Sequence, residues 1–509
     1  PPPPPSSSSP PSPPPDLWDA LPAELRLLVL DHLGPREAAR AARTCADFAA
    51  TVRAWRRKAR GLVLPPDLDA GRLEGLVRAY PEVRSLSFRR CARAGGAGAR
   101  AETIARVLRA AVEASCSSAG PPPSLESVDL EGCDAAVTDG TLGAVLDATF
   151  GSAAGSPSPS SSAVESFSSV RELKLGRCGR LSDKAIAAMA AHPASRVLSS
   201  VSVAGTSVTA DGLLSFLFSR RAFPRLEKLD ASGCVLVRGA LTLPPTLRLT
   251  SLRLQHLPHL SALHANLPAA APLRELLVTG CASLRALVVS ATALVTLNAC
   301  QCPALERLEL RCERLEALAM QHCRSLVAPA AFECPALERD LCVSGCVSLA
   351  ADALEAMVSA APRLRRLRGD GLASAEGDVR LRSRALREVR LEGCGKLRAV
   401  RVAAPIETLE LRACKSLEEV WIEDPPEDAE EAGEGDRDLE GEERKDGASG
   451  TGADEGARRV RLDLRNCVAL TRLVGVRKAA MEGRLVADLG GCAALPASAR
   501  PPRRPNARR

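Results

Sequence analysis

Val170-Arg171-Glu172-Leu173-Lys174-Leu175-Gly176-Arg177-Cys178 alternates apolar and polar residues, then closes on a cysteine. A strand places successive side chains on opposite faces, so Leu173 and Leu175 face inward while Glu172 and Lys174 face outward. The same nine-residue frame occurs at Val83–Cys91 and Leu125–Cys133. It returns at Cys234, Cys281, Cys302, Cys323, Cys346, Cys394 and Cys414, and more weakly at Cys467 and Cys492. Thr206, Leu257 and Leu372 take the cysteine position in three further units. Where no insertion intervenes the spacing is 20 to 28 residues. A fixed period of this size means stacked repeats, each one unable to bury its apolar face alone. The short strands then pair side by side into a parallel sheet, and the cysteine, small and weakly polar, turns inward at the strand end.

Several units continue from the cysteine into a helix. Thr138-Asp139-Gly140-Thr141-Leu142, Ser182-Asp183-Lys184-Ala185-Ile186, Val208 to Leu213 and Leu349 to Leu354 each set Ser, Thr or Asp before an apolar helical run, as N-caps require. Between about Leu249 and Trp421 the units shorten and a second leucine frame enters, as in Leu294 to Leu297, Leu305 to Leu310 and Leu315 to Leu318. Half-repeats of this kind predict extended segments on both sides of each coil, with little helix. Two insertions interrupt the array: a Gly/Ser/Pro-rich stretch at 151–162 and an acidic one at 423–456. Neither can bury apolar surface, so both are expected to be disordered. Strand alternation puts Glu172, Lys174, Arg253, Gln255, Glu309, Arg311, Gln321, Arg390, Glu392, Glu410 and Arg412 outward. These are the candidate contacts for a protein ligand.

The front of the chain reads differently. Residues 1–15 are a Pro/Ser lead, expected to be extended and disordered. In the module at 16–60, Pro22 suits the first turn of a helix and Glu24 complements its dipole. Leu25, Leu28, Val29 and Leu33 fall at helical spacing. Gly34-Pro35 ends that helix, a second runs from Arg36 to Thr44, and a third carries Phe48, Val52 and Trp55. Three short helices bury little area by themselves. Spacing alone fits a helical cap for the array and a partner-binding module equally well.

Composition narrows the functional class. The 509 residues suffice for one small module plus a long repeat domain at 80–495, with a basic disordered tail at 496–509. Hydrophobic residues make up 46% but aromatics only 2%, so Leu, Val and Ala build the core. The eighteen cysteines follow the repeat period, which favours reduced core thiols over a secreted disulfide scaffold. The first residue is Pro1, which reads as a fragment or processed product, and the residues after it carry no signal-peptide pattern. No run of about 20 apolar residues is present to span a bilayer. Cytoplasmic or nuclear residence is expected. The net charge of +7 hides an acidic run: Glu423 to Glu455 holds fifteen acidic and three basic residues, leaving about +19 elsewhere. Cys300-x-Cys302, Cys342-x-x-x-Cys346 and His322-Cys323 lack the paired ligand spacing of a zinc site. No phosphate-binding glycine loop and no Ser/His/Asp or Cys/His set is legible. A non-catalytic protein with no cofactor and no metal is expected.

Two resemblances sharpen this reading. The stretch Leu17–Trp55 resembles an F-box: Leu21-Pro22-x-Glu24-Leu25, then Val29-Leu30-x-x-Leu33, an acidic Glu37, and Cys45 with Phe48 three positions on. It departs from that pattern at Ala38 and Ala39, where the family usually has Leu, and at Phe48, where Trp is common. The array resembles the cysteine-containing leucine-rich repeats that commonly follow F-boxes, in the plant or algal style. Together they imply an α/β fold: a short helical F-box module, then a leucine-rich-repeat solenoid. Its form is a horseshoe, with a parallel sheet lined by helices or extended segments on the outer face. The implied role is substrate recognition in a Skp1–cullin–F-box ubiquitin ligase. Leu21, Pro22, Glu24, Leu25, Leu28, Val29 and Leu33 would bind a Skp1-type adaptor, and through it a cullin-RING ligase, while the concave face holds an unknown protein client. The alternatives are a repeat scaffold independent of ubiquitin and a basic protein associated with nucleic acid. The scarcity of stacking aromatics argues against the second.

Overall fold

The computed structural model describes residues 60–65, 68–80, 82–89, 100–116, 125–150, 170–218, 222–423, 460–475 and 485–496, with Glu37, Arg40, Val52 and Ser498. Within the expected front module, Glu37 and Arg40 are helical and exposed, and Val52 is helical and buried. The rest of that module lies outside the described residues. So do the lead, the insertion at 151–162, the acidic stretch from residue 424 to 459 and the end of the tail. The chain divides into two compact units, Pro1–Ser207 with Arg221–Leu226, and Val208–Arg220 with Glu227–Arg509.

In the first unit the strands are β1 (Gly61–Val63), β2 (Ser85–Ser87), β3 (Ser127–Asp129), β4 (Glu172–Lys174) and β5 (Ser200–Ser202). They lie side by side in chain order. Among the described residues the strands begin at Gly61, ahead of residue 80, where the frame placed the array. Neighbours pair in parallel with the central apolar residues in register: Leu62 beside Leu86, Val128, Leu173 and Val201. Four helices alternate with the strands: α1 (Ala70–Arg78), α2 (Ala101–Cys116), α3 (Leu142–Phe150) and α4 (Asp183–Ala191). Each packs on the next. Their starts follow capping chemistry. The Asp69 carboxylate accepts from the Arg72 amide at 2.8 Å, and the Ser182 hydroxyl accepts from the Lys184 amide. Asp139 does something else: it accepts from the Ser182 amide and hydroxyl, tying one repeat to the next.

The second unit opens with α5 (Ala210–Phe218), β6 (Lys228–Asp230), β7 (Arg238–Thr242), β8 (Ser251–Arg253), β9 (His259–Asn266), β10 (Glu275–Leu277) and β11 (Ala286–Ser290). It continues through β12 (Thr296–Asn298), β13 (Arg307–Arg311), β14 (Ala317–Ala319), β15 (Ala331–Glu333), β16 (Asp340–Cys342), α6 (Ala351–Ser359) and β17 (Arg366–Arg368). The last strands are β18 (Gly377–Arg382), β19 (Glu388–Arg390), β20 (Leu397–Ala403), β21 (Thr408–Glu410), β22 (Glu419–Glu423), β23 (Val460–Asp463), β24 (Arg472–Val474) and β25 (Leu485–Asp488). They sort into three parallel series. A long one runs β6-β8-β10-β12-β14-β16-β17-β19-β21-β23-β25. A five-stranded sheet runs β15-β13-β11-β9-β7, and a four-stranded one β18-β20-β22-β24. The expectation of extended segments on both sides of the coil holds here. One helix, α6, stands among them at the Leu349 to Leu354 frame, burying Leu354, Met357 and Val358. It is the helix start read from Asp352, although its N-cap, Ala350, offers no side-chain bond.

From Gly132 onwards the turn before the cysteine position is uniform among the described residues. The residue before that position has positive φ, from Gly132 and Arg177 through His256, Gln301, His322 and Ala413 to Asn466 and Gly491. That conformation aims its amide at the next coil, as in Gly132 to Gly176 O at 2.7 Å and His322 to Ser344 O at 2.9 Å. The backbone ladder thus extends past each three-residue strand. The cysteine then points inward. Its thiol donates to the carbonyl three residues before the preceding unit's cysteine position: Cys178 to Leu130, Cys302 to Val278, Cys346 to Met320 and Cys467 to Leu411, at 2.9 to 3.4 Å.

Candidate protein-interaction surface

The geometry that buries the leucines also sets the outward side chains in rows. In the first unit Ser87 donates to Asp129 at 2.9 Å and Ser127 donates to Glu172 at 2.6 Å. Lys174 lies 3.3 Å from Glu172, and Glu131 sits between Arg89 and Arg177. In the second unit Ser251 donates to Glu275, with Arg253 at 3.9 Å. The Gln255 amide donates to the Ser232 hydroxyl. Gln321 lies between two thiols: its amide donates to Cys300 Sγ at 3.3 Å and its side chain to Cys342 Sγ at 2.9 Å.

The densest part spans β17 to β25. Arg390 is 3.2 Å from Asp370, 3.3 Å from Glu392 and 3.8 Å from Glu410. Arg412 is 3.1 Å from Glu392, 3.3 Å from Glu410 and 3.2 Å from Asp463. Arg465 continues the series to Asp463 at 2.9 Å and Asp488 at 3.5 Å. Eight side chains of alternating charge therefore run across successive strands. Their environments differ. Desolvation raises the Glu392 carboxyl, against the pull of Arg390 and Arg412. At Asp463 desolvation acts the same way, but the hydrogen bonds from Arg465 and the charge of Arg412 win and hold it below the usual carboxylate range. Only 13% of the Asp463 side chain is exposed. Such a surface offers fixed donors and acceptors with little freedom left to lose on binding.

Five of the eleven outward candidates lie on strands of the long series of their own unit, Glu172 and Lys174 on β4, Arg253 on β8, Arg390 on β19 and Glu410 on β21, and four, Gln255, Gln321, Glu392 and Arg412, lie in the turns that follow such strands. Of these, Arg390, Glu392, Glu410 and Arg412 form one cluster. Glu309 and Arg311 do not join them. They lie on β13 of the five-stranded sheet, where Glu309 pairs with Arg307 and Arg311 with Glu333. A half-repeat Leu-x-Leu reads the same on either side of a coil, so alternation could not tell the two sheets apart. Asp370, Asp463, Arg465 and Asp488 were missed. Their signal is positional: each stands two or four residues before a cysteine position, the same offsets as Arg390, Glu392, Glu410 and Arg412. Leu21, Pro22, Glu24, Leu25, Leu28, Val29 and Leu33 lie outside the described residues.

Most of the thiols face the other way. Fifteen described cysteines are buried, and none of them is in a disulfide. Burial pushes Cys178 and Cys334 up to about 12 and Cys312 and Cys467 up to about 11. Cys323 is raised first by its hydrogen bond to the Cys346 thiol and then by burial. Neutral inward thiols are poor nucleophiles and poor metal ligands. Among the described residues no group of three or more His, Cys, Asp or Glu could hold a metal, and no helix is long and apolar enough to cross a membrane.

No protein-family model and no curated protein matches the chain. Among solved structures, the crystal structure of the Rad7 and Elc1 complex in yeast is similar at 12% identity, covering 76% of this chain and 89% of that one. The TM-score is 0.29, an overlap too loose to carry an argument about function.

Proposed function

We propose that this chain is the non-catalytic substrate-recognition subunit of a Skp1–cullin–F-box ubiquitin ligase. Residues 16–60 dock a Skp1-type adaptor, and the outward strand faces hold a protein client. One observation carries the reading: the order along the chain. The F-box-like set Leu21, Pro22, Glu24, Leu25, Val29, Leu30, Leu33, Cys45 and Phe48 stands directly ahead of a parallel repeat array. A docking module followed by a long polar recognition face is the build of an adaptor. The chain then acts by proximity, keeping its client beside a ubiquitin-loaded enzyme that another subunit recruits. The work is done in the cytoplasm or nucleus, where reduced thiols persist.

The test is capture of purified Skp1-type adaptor by the full chain, next to a variant carrying Leu21→Ala and Pro22→Ala. Capture by the wild type and its loss in the variant is the expected result. No capture by the wild type sinks the ligase reading and leaves a repeat scaffold.

A further inference from the structure

The four-stranded sheet carries a feature that the recognition face does not need. Its inward row is Val379, Val400, Val420 and Leu473, in register across the four strands. The next residue of each strand points outward: Arg380, Arg401, Trp421 and Val474, also in register. Arg382 follows two residues on from Arg380. Two arginines thus sit side by side on adjacent strands, roughly 4.8 Å apart at the backbone. Like charges directly opposite each other destabilise a sheet.

Among the described residues Arg380, Arg382 and Arg401 form no ion pair. Arg401 acts on Glu419 only through its charge, and its Nε finds no hydrogen-bond partner although it is shielded from solvent. The nearby acids are committed elsewhere or out of reach. Glu419 accepts from the Trp421 indole at 3.0 Å and from Arg472 at 2.9 Å. Glu355 accepts from the Arg380 backbone amide, and Asp378 and Glu423 form no ion pair among the described residues. The Arg401 and Arg472 guanidiniums lie 5.3 and 5.4 Å from the Trp421 ring centroid. The five-stranded sheet makes the contrast: there Arg307 pairs with Glu309 and Arg311 with Glu333.

We propose that this face is a docking surface for a carboxylate-rich segment of a partner protein. Its acidic side chains would engage the Arg380, Arg401 and Arg382 guanidiniums, and an adjoining apolar side chain would pack on Trp421 and Val474. Guanidiniums with open donor edges match carboxylates two bonds at a time. Three or four strands at that spacing span the reach of an extended segment of about four residues. The proposal is independent of adaptor docking.

The probe is a fluorescein-labelled oligoglutamate peptide, followed by anisotropy with the full chain at about 50 mM salt, where exposed charges are weakly screened. The variants are Arg380→Gln with Arg401→Gln, and Arg311→Gln on the five-stranded sheet as a control, each checked by its melting curve. The expected result is binding by the wild type and the control, weakened about tenfold in the double variant. Equal binding by all three, or equal loss in the control, overturns the proposal as unspecific charge attraction. Binding seen only after deletion of residues 424–459 overturns a separate partner and makes the chain's own acidic stretch the occupant. An oligonucleotide that displaces the peptide and binds tighter overturns a protein segment. Loss of folding in the double variant passes the decision to Arg382→Gln with Trp421→Leu, in which unchanged binding overturns the proposal.

Discussion

Cys346 donates its thiol to the Met320 carbonyl at 3.0 Å, and the carbonyl of Val343 in its own coil accepts the Cys346 amide. This small unit shows what the position asks for: a side chain that buries inward after the turn, as Leu257 and Leu372 also do, with the thiol adding a bond to the preceding coil. The inward cysteine was legible from its period. The positive-φ residue before it was not, because Gly, Arg, His, Gln, Ala and Asn all fill it. Two predictions belong here. The four thiols raised to about 11 or 12 stay protonated in the folded chain, whereas an unfolded thiol titrates near 8.5. Their contribution is therefore complete below about pH 8.5 and is lost as pH rises towards 11 to 12, at up to about 1.4 kcal/mol per pH unit for each thiol. Urea midpoints measured from neutral to alkaline pH should fall over that window; a flat profile contradicts the buried neutral thiols. The second concerns Gly345, whose φ is +75° and whose added Cβ would overlap the His322 ring. Gly345→Ala should lose about 2 kcal/mol, from the left-handed backbone and the clash together, and an unchanged melting point would refute it.

At the level of elements, caps and ion pairs divide the labour. Ser182 caps α4 and also donates to Asp139 of the preceding repeat, so Ser182→Ala should cost about 1–2 kcal/mol. Ala350 occupies the N-cap of α6 in an extended conformation with no side-chain bond, so Ala350→Ser should add about 0.5–1 kcal/mol. Denaturant midpoints moving in the same direction for both would contradict the capping account. Arg412 stands among Glu392, Glu410 and Asp463. Arg412→Ala leaves three half-buried carboxylates facing one another and should destabilise by about 1–3 kcal/mol, partly recovered in high salt. Equal loss at low and high salt would point to lost packing instead. Helices after Cys133, Cys178 and Thr206 were readable because Ser, Thr and Asp announced them. The division of the shorter strands between the long series and the two smaller sheets was not, since Leu305 to Leu310 and Leu294 to Leu297 obey one alternation. That is why Glu309 and Arg311 were grouped with residues of another sheet.

Across the described residues of the array, the repeat period sets the architecture, and the repeats bury their leucines. That much was written in the spacing of Leu and Cys. The clustering of Asp463, Arg465 and Asp488 with Arg412 was not, because it depends on which strands become neighbours across the 424–459 stretch: β21 pairs with β23, setting Glu410 beside Asp463. The role proposed for the front module rests on its residues and on their place ahead of the array. The central claim is that one chain joins a ligase core to a client, and a mixture of the full chain, a Skp1-type adaptor and a cullin tests it most directly by size-exclusion chromatography. The account predicts that cullin co-elutes with this chain only when the adaptor is present, and that Leu21→Ala with Pro22→Ala abolishes the co-elution. A cullin and an adaptor that elute together while this chain elutes apart from both would contradict it.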